Sequence, residues 1–283
     1  MKNSYKIAFL FTLFITSVIT AQEKLKGNKE VTTENRNISE FNKLEIIDDV
    51  DVLLVYNDNQ SVSVETDSNL QNSIITEINK GTLSIKIKDK ILKKKELVVH
   101  IKVNKNLKEI YSYNKSNIKS KNLLPIDTLT INAFDNSDIS LKLNSKLLKI
   151  NSKKTSNLKF EILCDNIFIR AEESSTIKGT IDSKEAVFNL IDRAIVSIDG
   201  SSNIFEVETL GNSSLKGKDF FAKDVIINAS NSSDAYINAT DTIDIYAKNS
   251  TEVYLYSNPK ITLSEFFDKA TLSKKELDKK SLF

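Results

Sequence analysis

A polar–apolar rhythm with a period of about nineteen residues runs through the last two-thirds of the chain. An apolar residue follows each polar turn, at Ile118, Ile139, Leu158, Ile177, Val196, Leu215, Ala235, Val253 and Leu272, with spacings of 21, 19, 19, 19, 19, 20, 18 and 19. Two positions before each of these anchors stands a small residue: Ser116, Ser137, Ser156, Ser175, Ala194, Ser213, Ser233, Thr251 and Ala270. Eight positions before it stand Ile110, Ile131, Ile150, Ile169, Phe188, Val207, Ile227, Ile245 and Ser264. Columns held in register over so many units are the mark of stacked coils, because each side chain must fit the one above it. Within a unit, Leu129-Thr130-Ile131-Asn132-Ala133 alternates inward and outward, Asp135-Asn136-Ser137 turns, and Ile139-Ser140-Leu141-Lys142-Leu143 alternates again. Strands of about five residues, rising ~3.3 Å each, predict coils of two or three short strands whose neighbours pair in parallel ~4.8 Å apart. A β-sandwich is the competing architecture, but it requires no column register.

Upstream the rhythm differs. Val50, Val52 and Leu54 alternate with Asp49, Asp51 and Leu53, and Val62 and Val64 alternate with Ser61, Ser63 and Glu65. Leu70, Ile74, Ile75 and Ile78 follow helical spacing, with Asp67 or Ser68 as a start and Gly81 just past the end. Strands resume around Leu83–Ile87 and Leu97–Val103. The chain therefore reads as all-β, a right-handed parallel β-helix with about 19-residue coils and an N-terminal β-rich portion containing one short helix. The expected divisions are a signal peptide at 1–21, a flexible leader at 22–40, the N-terminal β-rich part of the solenoid at 41–104, the repeat β-helix at 105–263, and a C-terminal cap and tail at 264–283. In that cap Phe266, Phe267 and Leu272 are expected to cover the open end.

Lys2 and Lys6 precede an apolar run from Ile7 to Ile19, and Ala21 before Gln22 suits signal cleavage. The run is shorter than the roughly 18 residues of a membrane span. The expected protein is exported to the periplasm, the outer-membrane surface or the medium, without an integral membrane segment after cleavage. Removing Lys2 and Lys6 from 40 basic residues leaves 40 − 2 = 38 against 38 acidic ones. That balance argues against a nucleic-acid partner. Six glycines and two prolines are few for an all-β chain, so Asn, Asp and Ser must carry the turns. The single cysteine, Cys164, sits in an apolar run and reads as a small core residue.

Four positions before each anchor lies a turn column: Asn114, Asp135, Lys154, Glu173, Asp192, Gly211, Asn231, Asn249 and Asp268. A calcium ladder there would need converging carboxylates, and Lys154 interrupts the column, so turn formation is the better reading. Asp48, Asp49 and Asp51 form the densest carboxylate group, with alternation placing Asp49 and Asp51 outward. Glu172-Glu173 and Asp192-Arg193, one coil apart, predict surface ion pairs. A glycosidase needs two carboxylates across a cleft, and these near-uniform repeats carry no long insertion to build one. His100 shows no evident partner in the sequence, and no nucleophile elbow, phosphate loop or metal motif occurs. No catalytic residue, metal or cofactor is assigned. The ligand-binding candidates are Tyr236, Tyr246, Tyr254 and Tyr256 in adjacent coils. Tyr236 and Tyr254 directly follow anchors and so point outward, where an aromatic ladder could stack on a glycan or contact a surface protein.

Phe41-Asn42-Lys43-Leu44-Glu45-Ile46, Val50-Asp51-Val52-Leu53, Ser61-Val62-Ser63-Val64-Glu65 and Gly81-Thr82-Leu83-Ser84-Ile85 occur in order, followed by Ser-Asn/Asp-Ile turns after Leu107. Together these resemble the exported bacterial family called putative auto-transporter adhesin, head GIN domain, over roughly residues 38 to 260. The resemblance implies an exported β-helical envelope protein common in the Bacteroidetes, and it carries no catalytic residues. The family's turns are Gly-rich where this chain has Asn114-Lys115-Ser116-Asn117 and Asp135-Asn136-Ser137-Asp138. The expected function is a non-catalytic envelope or surface binding module of adhesin type. A self-assembling structural solenoid and a carbohydrate-active enzyme are the alternatives, and the oligomeric state is left open.

Overall fold

Strand register follows the nineteen-residue rhythm. The computed structural model describes residues 24–277, and in it each apolar anchor pairs in parallel with the next, from Ile118 opposite Ile139 to Val253 opposite Leu272. The signal peptide expected at 1–21 lies outside the described residues. The middle coils are single long strands, Asp138–Ser152, Asn157–Ala171, Thr176–Ile191, Ile195–Leu210, Ser214–Ser230 and Asp234–Lys248. Pairing lapses near the middle of these strands, as between Ser145 and Leu147. The result is a β-solenoid of about nine turns with coils of about nineteen residues.

The reason for the period lies in the turns. All nine residues of the turn column adopt positive φ, from 51° at Asn114 to 74° at Gly211. Asn and Asp reach this left-handed region at low cost, which is how the chain turns with so few glycines. The small-residue column then tucks beneath the turn: Ser116, Ser137, Ser156, Ser175, Ser213 and Ser233 are all buried. Two of their hydroxyls bond within the coil, Ser112 with Ser116 at 2.6 Å and Ser152 with Ser156 at 2.8 Å, while Ser213 and Ser233 reach back to Leu190 and Thr209 of the preceding coil. A larger side chain at this column would force the turn away from the core.

Ile, Leu and Val columns fill the interior, each side chain contributing roughly 2 kcal/mol on burial. Where the interior widens, Phe188, Phe205 and Phe220 stack edge to face with centroids 5.1 Å apart. Cys164 is buried as a free thiol, and burial, aided by the Asp165 carboxylate, pushes its pKa up to about 12.

The N-terminal portion joins the same stack in an unexpected order. Asp51–Tyr56 lies between Asn117–Ser120 and Leu97–Val103, so Val52 pairs with both Ile118 and Val99. Lys43–Ile46 likewise lies between Glu109–Ser112 and Thr82–Ile87. The first coil in sequence is thus the second in space. Antiparallel strands close this end, with Ser61–Asp67 paired to Leu97–Val103 and Val31–Arg36 paired to Ser61–Asp67.

Four expectations need correction. Residues 24–36 were expected within a flexible leader but form two strands. Val31–Arg36 lacks an apolar face because it is an edge strand, held by its ladder and by Arg36, which donates at 2.8 Å to both oxygens of buried Gln71. The helix covers only Ser68–Ser73 and is of 3-10 type, while Ile74–Asn79 is a strand antiparallel to Thr82–Ile87. Lys80 and Gly81, with φ of 47° and 77°, turn that hairpin rather than end a helix. Leu263, not Ser264, stands opposite Ile245, because the register slips by one residue just beyond that pair. Finally, Phe266 and Leu272 pack against the core, but Phe267 is exposed and the last long strand, Lys260–Phe266, is exposed almost throughout.

Candidate functional site

Parallel coils convert the period into outward columns. Stepping from the residue after each anchor gives Lys119, Ser140, Lys159, Lys178, Ser197, Lys216, Tyr236 and Tyr254 in one line along a single face. At its C-terminal end Tyr236 and Tyr254 are register partners, with rings stacked at a centroid distance of 4.5 Å and an angle of 21°. Lys275 Nζ lies 4.9 Å over the Tyr254 ring. Tyr254 is therefore sandwiched between an aromatic face and a cation. The Tyr254 hydroxyl donates to Glu252, which with partial burial holds it up at about 12, and burial likewise raises Tyr236. Both phenols remain neutral well above physiological pH.

On the side away from Tyr254, the Tyr236 ring has Lys216 as its register partner one coil back. The ring borders a groove of about 480 Å³ also lined by Ser197, Asp199, Lys216, Lys218, Asp219 and Tyr256, with Ile198 at its base. Tyr256 itself is buried, at 7% exposure, and supplies a wall rather than a platform. Tyr246 is not part of the groove. It lies on the second leg of its coil, opposite Asn228 and Glu265, and its hydroxyl donates to Asp244 at 3.3 Å. Of the four candidate tyrosines, two line the groove, Tyr254 backs one of them, and Tyr246 is elsewhere.

Sequence reasoning missed the polar partners of the groove. Lys216 was within reach, since one coil back from Tyr236 leads to it. Asp219 was not, because the register slips between Ser197 and Asp199 and brings Asp199 opposite Asp219. Further along the same face a groove of about 670 Å³ is lined by Lys119, Lys159, Lys178, Asp51 and Asp138.

The other candidate groups resolve into structural roles. His100 does have a partner, Glu65 Oε2 at 2.8 Å, across an antiparallel pair. Asp51 accepts from Asn117 Nδ2 at 2.7 Å, and Asp48 accepts from the Ile87 backbone N–H at 3.2 Å, so these carboxylates do not converge. Glu172 pairs with Arg170 and with Lys153 at 3.1 Å, whereas Arg193 reaches Ser174 instead of a carboxylate. Among the described residues no group of three or more His, Cys, Asp or Glu side chains is placed to hold a metal ion.

Comparison with known proteins agrees with this architecture. No curated protein matches the chain in sequence. A putative adhesin from Parabacteroides merdae ATCC 43184 superposes with a TM-score of 0.63 at 18% identity, covering 89% of this chain and 99% of its own. A putative lipid binding protein from Parabacteroides distasonis ATCC 8503 gives 0.61 at 18% identity, covering 89% of this chain and all of its own. A putative adhesin from the same organism gives 0.58 at 15% identity, with 90% of this chain covered. At such identities the likeness is one of fold. The family pattern itself matches twice, over residues 40–161 and 147–259, and the chain belongs to the family described as putative auto-transporter adhesin, head GIN domain.

Proposed function

We propose that the protein is an exported, non-catalytic binding module of the cell envelope, adhesin-like in character, which takes a glycan in the groove beneath Tyr236. The observation that carries this reading is the Tyr236 ring lining the groove, fixed from behind by Tyr254 and bordered by Lys216, Asp199 and Asp219. A rigid aromatic platform beside hydrogen-bonding groups is what a sugar ring requires, apolar C–H groups on one face and hydroxyls at its edge. Tyr254 contributes by holding Tyr236 in place, with its own faces already occupied.

A glycan array identifies the ligand, and titration calorimetry on the hits then ranks the tyrosines. Tyr236→Ala is expected to weaken binding about ten-fold. Tyr254→Ala costs only a few-fold, and Tyr246→Ala leaves affinity unchanged. Equal losses for Tyr236→Ala and Tyr246→Ala would remove the groove from consideration. Protease treatment of intact host cells tests the location: cleavage without breaching the outer membrane supports a surface module.

A further inference from the structure

The end of the solenoid opposite the tyrosines carries a concentration of charge that the glycan groove does not use. Lys24–Lys26 and Lys90–Lys93 form a separate two-stranded parallel sheet in which Lys24 stands opposite Lys90 and Lys26 opposite Lys93. Like charges directly opposite one another destabilise a strand pair. Lys29, Lys94 and Lys95 add to the same exposed region. Among the described residues none of these seven lysines makes an ion pair. On the shaft, by contrast, Lys142, Lys146, Lys153 and Lys184 each reach a carboxylate one coil away, at 2.7 to 3.1 Å.

This repulsive arrangement is deliberately anchored. The buried carboxylate of Asp67 accepts from the backbone N–H of Lys29 and, at 2.7 Å, from that of Lys95, tying both lysine-bearing segments to one point. Gly27 N–H donates to the Lys93 carbonyl at 2.8 Å and closes the ribbon. Between the lysines, Leu92 stands 45% exposed, and Leu25 and Ile91 are half-buried. The cleft alongside is lined by Asp48, Asp49 and Asp89 as well as by Lys90, Lys93 and Lys94. Its carboxylates disfavour an anion held inside, so the lysines serve something that meets the end from outside.

We infer that this end docks on an anionic membrane surface, with the lysines against lipid phosphates and Leu92 dipping into the headgroup layer. Basic residues around an exposed aliphatic side chain match that chemistry, each lysine near such a surface being worth about five-fold in affinity. Among the described residues no helix is long and apolar enough to cross a membrane. Docking here would point the Tyr236 groove, at the far end of the rod, away from the lipid.

The test is co-sedimentation of the exported protein with phosphatidylcholine vesicles, with and without phosphatidylglycerol. Binding is expected only with the anionic lipid, and it should vanish in about 1 M salt, where the Debye length falls to about 3 Å. Lys90→Gln, Lys93→Gln and Lys94→Gln together should weaken it about a hundred-fold. The matched shaft variant, Lys119→Gln with Lys159→Gln and Lys178→Gln, should leave it unchanged. All six positions are exposed, and Lys24→Gln with Lys26→Gln offers an independent variant should the first fail to fold. Equal binding to both vesicle types, or equal weakening by the shaft variant, overturns the inference. So does heparin binding that depends on the same lysines without vesicle binding, which would transfer the surface to a soluble polyanion.

Discussion

Asp67 ties two separate N-terminal segments together through one buried carboxylate, which accepts from the backbone N–H groups of Lys29 and Lys95. Burial by itself raises its carboxyl, but the backbone N–H groups of Lys95, Lys29 and Glu96 outweigh burial and hold it below the usual carboxylate range. A depressed folded value means that its contribution is complete above the unfolded value, near pH 4, and is lost as pH falls through the folded one. Asp67→Asn, which turns an amide donor toward these N–H groups, should cost about 2 kcal/mol at neutral pH. The gap between urea melts of the two proteins should narrow as pH drops below about 4, and a gap that stays constant as pH falls further would show that the carboxylate charge is not what matters. None of this was legible in the sequence, where Asp67 read as a helix cap, because its donors lie 28 and 38 residues away. The turn column was legible for the opposite reason. Its left-handed backbone is a local demand, and Asn, Asp and Gly announce it, although Lys154 and Glu173 meet the same demand without announcing it.

Coils depend on close approach as much as on apolar columns. Gly179 has φ of 154°, and a Cβ placed there would sit 2.0 Å from the carbonyl oxygen of Phe160 in the preceding coil. Gly200 repeats the contact one coil on, 2.2 Å from the oxygen of Ile181. Gly179→Ala should therefore destabilise by about 2–4 kcal/mol, while exposed Thr180→Ala next to it stays within about 0.5 kcal/mol. Chemical denaturation decides the matter, and a cost below about 1 kcal/mol for Gly179→Ala would mean that the coils can part to admit a methyl group. The period revealed that coils exist, but it does not say which coils touch. Val99 and Ile118 are 19 residues apart, the spacing that elsewhere means adjacent coils, yet Val52 lies between them. A periodic pattern reports the face a side chain occupies and is silent on an insertion of a whole coil, since the inserted coil obeys the same pattern. Ile74 and Ile78 did mislead: with so few residues a 3.6-residue spacing also fits a strand, and pairing with Thr82–Ile87 decided the outcome.

The two ends of the molecule are built on different physical terms. The N-terminal end finishes in antiparallel strands, and its edge, Val31–Arg36, is polar with Thr32, Thr33, Glu34 and Asn35 all exposed. Such an edge resists pairing with another chain. The opposite end presents the strand Lys260–Phe266, whose inward residues Ile261 and Leu263 are 45% and 50% exposed although they continue the buried columns of Ile243 and Ile245. Ile261 and Leu263 are two residues apart and share a face, so two copies of this strand could pair antiparallel with Ile261 of one opposite Leu263 of the other. That geometry is self-complementary and closed by a two-fold axis, which favours a dimer over an open filament. Burial of four such side chains at roughly 1 kcal/mol or more each would offset only part of the cost of association, so the expected dimer is weak. Sedimentation velocity over a wide concentration range should show a reversible monomer–dimer equilibrium that Leu263→Glu abolishes without lowering the melting temperature. Polymers larger than a dimer would instead support the scaffold alternative, and a monomer at every concentration would rule out pairing at this end. A dimer formed in this way would place two Tyr236 grooves in one particle, each Tyr236 one coil from the junction, and would raise avidity for a repeating glycan without any new contact to the sugar.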